Sequence, residues 1–312
     1  MKKAFDVVKN VRDAAVHVID VSSREYDIII LGATGYTGKL TVAQMCRRGK
    51  GIKFAVAGRS VDKVTKVVDQ IAAELNLSAD ARPTVLHGDT SDVASLDALC
   101  NQCRVLVSLV GPYQIHGIPV VEACLRTGTH FLDITGEANY QRELVSKYHD
   151  TAKSKGVALV TACGFDSVPS DIGNLVMHIA AAENGDTLSE VKGVMRMRGF
   201  KPSGGTMASM ELLIKNAKPA DFAPLSLNPL DARVGIRTPL TVGVGYNSVL
   251  GVWTLPFLMA SANEKIVRRS NAMLGRPTVA YSECASAKTM LRAIQGCIMY
   301  YVGIAVMLMP VV

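Results

Sequence analysis

Gly32, Gly35 and Gly38 fall within the stretch YDIIILGATGYTGKL, which runs from Tyr26 to Leu40. An apolar run of strand length, Asp27 to Leu31, precedes them, and a helical pattern follows. A dinucleotide pyrophosphate needs that order. Gly32 makes the tight turn, Gly35 leaves room for the phosphates, Gly38 lets the helix lie close on the strand, and the helix N-terminus brings positive dipole. Thr34, Tyr36 and Thr37 sit among these glycines as further candidate cofactor contacts. A second apolar run, Lys53 to Ala57, ends in Gly58-Arg59. Folds specific for NAD carry a carboxylate there for the adenosine ribose, whereas an arginine fork suits a 2′-phosphate. The expected cofactor is therefore NADPH rather than NADH; the alternative is that Arg59 is only a solvated surface charge.

Later apolar runs end in further candidates. Pro83 to His87 closes on Gly88-Asp89, where Asp89 can meet the adenine amino group; Asp92 reads as that or as a helix-start acid. Arg104 to Leu109 leads to Gly111 and Pro112, expected against the cofactor, and then to a loop with Tyr113 and His116 before a helix from Pro119 to Arg126. That loop borders the nicotinamide end in a doubly wound sheet. A hydride transfer that leaves negative charge on a substrate oxygen calls for an acid beside the nicotinamide, so Tyr113 and His116 are the catalytic candidates. Packing for Tyr113 and helix capping for His116 are the plainer roles. Val157 to Thr161 runs into Cys163, Asp166 and Ser167, which line a ligand or cap the helix that Pro169 helps to start.

Strand and helix alternate six times with short connections, the pattern of a parallel sheet covered on both faces. The fold class is α/β, a Rossmann-type doubly wound sheet over residues 26–172, after an N-terminal extension of residues 1–25 that reads as a docking helix. The texture then changes. Val191 to Arg198 alternates as a half-exposed strand in a second sheet, and Ser203 to Thr206 turns into a helix from Met207 to Lys215. Residues 173–292 are thus a second α/β unit, with Arg196 and Thr206 on a basic, glycine-containing edge able to hold an acidic substrate group or simply to face solvent.

With 34 Lys and Arg against 27 Asp and Glu, the net charge of +7 favours polyanionic cofactors or acidic lipid. Aromatic residues are 5% and no basic stripe interleaves with them, so nucleic acid is not an expected partner. Seven scattered cysteines fit a reducing, intracellular compartment, and the Cys100/Cys103 pair lacks the second pair or histidine that a zinc site needs. No metal site is expected. Thr238 to Asn263 and Ala293 to Val312 carry no charge, and either length could cross a bilayer. The first, with its prolines and glycines, reads as buried structure; the second, residues 293–312, reads as membrane-associated. Lys265, Arg268, Arg269 and Arg276 between them suit anionic lipid head groups. The chain stops inside an apolar run, which suggests an incomplete C-terminus.

GATGYTG, AGRS, SLVGPYQIHG, LDITGE, CGFDSVPSD, SGGT and VRRSNAMLG, in this order, resemble the saccharopine dehydrogenase-like oxidoreductases, a group that includes the trans-acting enoyl reductases. The resemblance covers about Tyr26 to Tyr281. It implies an NADP-type Rossmann domain and an α/β substrate domain, with Gly32, Gly35, Gly38 and Arg59 holding cofactor. It also implies that the loops at Gly111 to Gly117 and Gly164 to Asp171 border the substrate. Lipid or glycolipid metabolism and a membrane or lipid-droplet location follow as expectations, and an oligomer is compatible. The function so implied is NADPH-dependent reduction of an enoyl or carbonyl group of an acyl substrate. A catalytically idle NADPH-binding scaffold and a saccharopine-type amino-acid dehydrogenase, with Arg196 and Arg198 for carboxylates, are the alternatives.

Overall fold

A computed structural model describes residues 20–196, 204–229, 238, 240–276 and 278–308. The expected N-terminal helix therefore lies outside the described residues, as does Arg198. The first unit holds a six-stranded sheet: β1 (Tyr26–Leu31), β2 (Phe54–Gly58), β3 (Thr84–His87), β4 (Cys103–Ser108), β5 (His130–Asp133) and β6 (Leu159–Val160). All neighbours are parallel and their order is β3-β2-β1-β4-β5-β6, so the chain changes direction between β1 and β4. The helices are α1 (Tyr36–Arg48), α2 (Val61–Leu75), α3 (Val93–Cys100), α4 (Tyr113–Thr127) and α5 (Ala138–Lys155). The central strands are apolar on both faces, because helices cover both: Ile30 and Val56 pack with Val42 and Val64 on one side, Ile29 and Leu106 with Leu96 and Val121 on the other. Arg24, just ahead of β1, ties the two loops at the foot of this second face, bonding the carbonyls of Cys100, Cys103 and Thr127 and the Thr129 hydroxyl.

One boundary differs from expectation in a way that matters. The helix placed at Pro119 begins at Tyr113, so His116 and Gly117 are helical and not in a loop. Gly117 and Pro119 are weak helix formers and hide the start from any periodicity. Yet Gly117 is required by packing, since a Cβ there would stand 2.7 Å from the Tyr140 ring.

By its contacts the chain divides after Cys163, ahead of the expected boundary at residue 172, and the start of a later helix, α7 (Gly204–Asn216), groups up to Leu212 with the first unit. The second unit contains α6 (Val168–Glu183), β7 (Glu190–Met195), the rest of α7 (Gly204–Asn216), β8 (Gly245–Asn247), β9 (Val252–Leu255), α8 (Ala260–Met273), β10 (Ala280–Ala287) and α9 (Met290–Leu308). Its sheet runs β7-β10-β9-β8, with β7 and β10 parallel and the rest antiparallel. The uncharged stretch from Thr238 to Asn263 supplies the β8–β9 hairpin and the start of α8.

The basic cluster expected to meet lipid is instead internal. Lys265 and Arg268 are each 6% exposed, Arg268 pairs with Glu264 at 2.7 Å, and the Arg269 guanidinium donates to the Leu227 carbonyl. Their charges are spent on satisfying a polar interior, because α8 turns Asn263, Glu264 and Asn271 inward as well. The apolar C-terminal stretch forms α9, which buries Ala293 but exposes Leu291, Ile298, Met299 and Val302. Among the described residues no helix is long and apolar enough to cross a membrane.

Candidate cofactor and active site

The first unit's candidates gather along one edge, the carboxyl ends of β1 to β4, where open parallel sheets bind ligands at the change of direction. Gly32 has φ +95°, a conformation that L side chains rarely adopt. A Cβ on Gly38 would lie 2.2 Å from the Gly32 carbonyl oxygen, so only glycine lets α1 start this close to the turn. A Cβ on Gly35 would meet only the Gly32 oxygen, at 3.5 Å, leaving its outer side open. Gly35 is the N-cap of α1; no side chain caps it and no acid occupies the first turn. Backbone N–H groups and positive dipole are thereby left facing outward, with Thr34, Gly35 and Tyr36 exposed and Thr37 half-buried beside them.

Arg59 stands exposed where β2 ends. Asp89, beyond β3, accepts from the Ser91 N–H and hydroxyl, which hold its carboxyl below the ordinary range, and the Arg59 charge lowers it further. Asp92 caps α3, accepting from the N–H groups of Ala94 and Ser95. Gly111 and Pro112 lie beyond β4, joined by a cis peptide bond. Ser209, in the part of α7 that groups with this unit, approaches Gly111, and Thr206 is exposed one turn earlier.

The two catalytic candidates take opposite places. His116 is half-buried in the first turns of α4, and its Nδ1 shares a hydrogen with Thr90 Oγ1 at 2.9 Å, which leaves Nε2 for a ligand. Tyr113 points inward, 6% exposed; its hydroxyl donates to the Ser108 carbonyl at 3.3 Å, and its ring lies 5.9 Å from that of Tyr140. Burial, with the charge of Asp133 beside it, pushes the Tyr113 phenol well up. Its geometry is that of a packed side chain.

Two residues not singled out as site candidates lie beneath these. Asp133, fully buried at the end of β5, has its carboxyl pushed up to about 7, by burial first and the Glu137 charge in addition. Glu137, 2% exposed, accepts the Tyr113 and Gln114 N–H groups at 2.9 Å each. The signal was present in LDITGE, two carboxylates at the end of an apolar strand, but only the tertiary contacts give it meaning. Cys163 is half-buried after β6, its N–H on the Asp133 carbonyl at 2.7 Å and its thiol pushed up to about 11 by burial.

Asp166, Ser167 and Arg196 belong to the second unit. Asp166 is exposed, while its carbonyl and the Ser167 hydroxyl are both held by Asn263, so Ser167 does not cap α6 by its side chain. Arg196 is exposed just past β7. No group of three or more metal-ligating side chains occurs among the described residues.

Residues 28–160 match the family model described as the saccharopine dehydrogenase NADP binding domain. A Mycobacterium tuberculosis relative is 38% identical over 264 residues, which is 80% of this chain and 62% of the relative. The trans-acting enoyl reductase of Mycobacterium ulcerans is 33% identical over 266 residues, 81% of this chain and 62% of its own. The chain thus spans less than two thirds of the length of these curated relatives. Among solved structures it resembles a saccharopine dehydrogenase (L-Glu forming) of Saccharomyces cerevisiae, with 18% identity, a TM-score of 0.42, and coverage of 55% of this chain and 34% of that one.

Proposed function

We propose that the chain, whose residues 28–160 match the saccharopine dehydrogenase NADP binding domain and which is 38% identical to a Mycobacterium tuberculosis relative, is an NADPH-dependent reductase of an enoyl or carbonyl group on an acyl substrate. The observation that carries this reading is the turn at Gly32 to Gly38, closed to any side chain by the 2.2 Å approach and opening on an uncapped helix start. NADPH, when bound, supplies the hydride. The chain's own residues seat the pyrophosphate on the α1 N–H groups, hold a 2′-phosphate with Arg59, and set His116 Nε2 at the rim. Hydride delivered to an enoyl β-carbon would move charge to the thioester oxygen, where His116 would donate a hydrogen bond, and the α-carbon would then take up a proton to give the saturated thioester.

The enoyl reductase names of relatives favour a thioester over a saccharopine-like substrate, as does the solvent-facing position of Arg196. A second reading, an NADPH-binding scaffold without turnover, draws on the inward hydroxyl of Tyr113, which leaves a single acid candidate. For location, we read the exposed apolar face of α9, led by the exposed Lys288 and Arg292 and free of acids, as the part that meets lipid. Following NADPH oxidation with a short enoyl thioester or an aldehyde, and NADP+ reduction with saccharopine, decides the matter. Turnover of the thioester or aldehyde that is lost in His116→Ala supports the first reading. NADPH binding without turnover of any of them supports the scaffold, and saccharopine-only turnover overturns both. Co-flotation with liposomes tests the lipid surface.

A further inference from the structure

Helix α4 has a start that its own sequence does not secure. Pro112 occupies the N-cap and offers no side-chain oxygen, and no acid lies in the first turn. A local Ser or Asp would be the ordinary remedy. Here both oxygens of Glu137, 23 and 24 residues further on, accept the Tyr113 and Gln114 N–H groups. Glu137 is itself held, since its N–H donates to Thr135 Oγ1 at 3.0 Å. Burying a carboxylate is costly, and two charge-assisted bonds at a helix N-terminus are what offset that cost.

The same strand end secures its other neighbour. Asp133 Oδ1 accepts the Thr135 N–H at 3.0 Å and the Ala162 N–H at 3.1 Å, and the Asp133 carbonyl accepts the Cys163 N–H. Ala162 has φ +58°, a left-handed conformation that a residue with a Cβ adopts only when its surroundings impose it. The turn from β5 into α5 therefore reaches both ways: to the start of α4, which carries His116, and to the strained end of β6.

We propose that Asp133 and Glu137 are positioning residues, a pair of buried carboxylates that set the carboxyl edge of the sheet by holding the α4 start on one side and the Ala162 turn on the other. The proposal deepens the reductase reading, because the edge so held is the one assigned to the nicotinamide and His116.

Amide hydrogen exchange on the full chain tests it without reliance on turnover. Glu137→Ala is expected to speed exchange at Tyr113 and Gln114 at least tenfold, with Glu137→Gln intermediate because it keeps one acceptor oxygen. Asp133→Ala is expected to do the same at Thr135 and Ala162. Asp133→Asn, whose amide oxygen can accept the same two N–H groups, is expected to restore protection. In each case β1 and β4 should exchange as in the wild type. Uniform acceleration across the sheet, or unchanged exchange at these four amides, overturns the proposal. Where turnover is measurable, Glu137→Gln should lower kcat roughly tenfold or more while the Kd for NADPH changes less than about threefold. A fall in kcat that only matches the folded fraction also overturns it. A wild type without turnover refutes the reductase reading and leaves the exchange result to stand alone.

Discussion

Asp133→Asn should change how stability depends on pH, and the structure sets the sign. The Asp133 carboxyl is pushed from 3.8 up to about 7, and the residue is fully buried, so solvent does not screen the effect. Below the unfolded value the carboxyl is protonated in both states. Between that value and about 7 the folded chain holds a proton that the unfolded chain releases, so this group's contribution to stability falls as pH rises. Above about 7 the loss is complete, and a raised pKa of about 3 units corresponds to about 4 kcal/mol. Asparagine stays neutral throughout and keeps an oxygen for the Thr135 and Ala162 N–H groups. From about pH 5 to about pH 8 the variant should therefore gain about 2.5 kcal/mol on the wild type. For a chain of this size that is a relative rise in Tm of roughly 5–10 °C. The assay is thermal unfolding of both proteins across that range in constant ionic strength. A gap that stays constant with pH, or that moves against the variant as pH rises, would show that Asp133 ionises freely in the fold and that the burial argument is wrong.

Other outcomes follow from single contacts. Gly38→Ala places a Cβ 2.2 Å from the Gly32 carbonyl oxygen, so titration with NADPH should show at least about a tenfold loss of affinity. Arg59→Asp should move preference from NADPH towards NADH by about tenfold or more, read as the ratio of the two dissociation constants; an unchanged ratio refutes the 2′-phosphate assignment. His116→Ala should lower kcat by roughly a hundredfold or more, whereas Tyr113→Phe, losing only the bond to the Ser108 carbonyl, should leave kcat nearly intact and cost about 1 kcal/mol in denaturant unfolding. Arg268→Met leaves the Glu264 carboxylate, 1% exposed, without its partner and should cost about 3–5 kcal/mol.

Much of the architecture was legible because it is written at short range. Each parallel strand is a continuous apolar run, since both faces are covered, and each glycine of the turn from Gly32 to Gly38 answers a steric demand set by residues only a few places away. That the strands are parallel and covered on both faces followed from counting strand and helix alternations; their order in the sheet came from the structure. Arg59 could be placed for the same reason, as the residue after a strand end. The apolar run at the C-terminus shows the limit: α9 has membrane-like composition, yet composition does not say which side chains a neighbouring sheet will cover.

Other features depended on partners far away along the chain. The start of α4 is stabilised by Glu137, so a helix with proline at its N-cap, glycine and proline within its first two turns and no side-chain cap gave no local sign of where it begins. Tyr113 and His116 stand three residues apart, yet one turns into the sheet and the other to its rim. Lys265, Arg268 and Arg269 read as a lipid-facing cluster because charge normally seeks water, but Glu264, the Asp221 carbonyl and the Leu227 carbonyl supply partners inside. Sequence alone determined the sheet and the seat for the dinucleotide, because these rest on local sterics and periodicity. Which polar groups are buried, which acid faces the cofactor edge and what holds that edge in place were decided only by the tertiary structure, since a buried charge is tolerated only where a sequence-distant partner meets it.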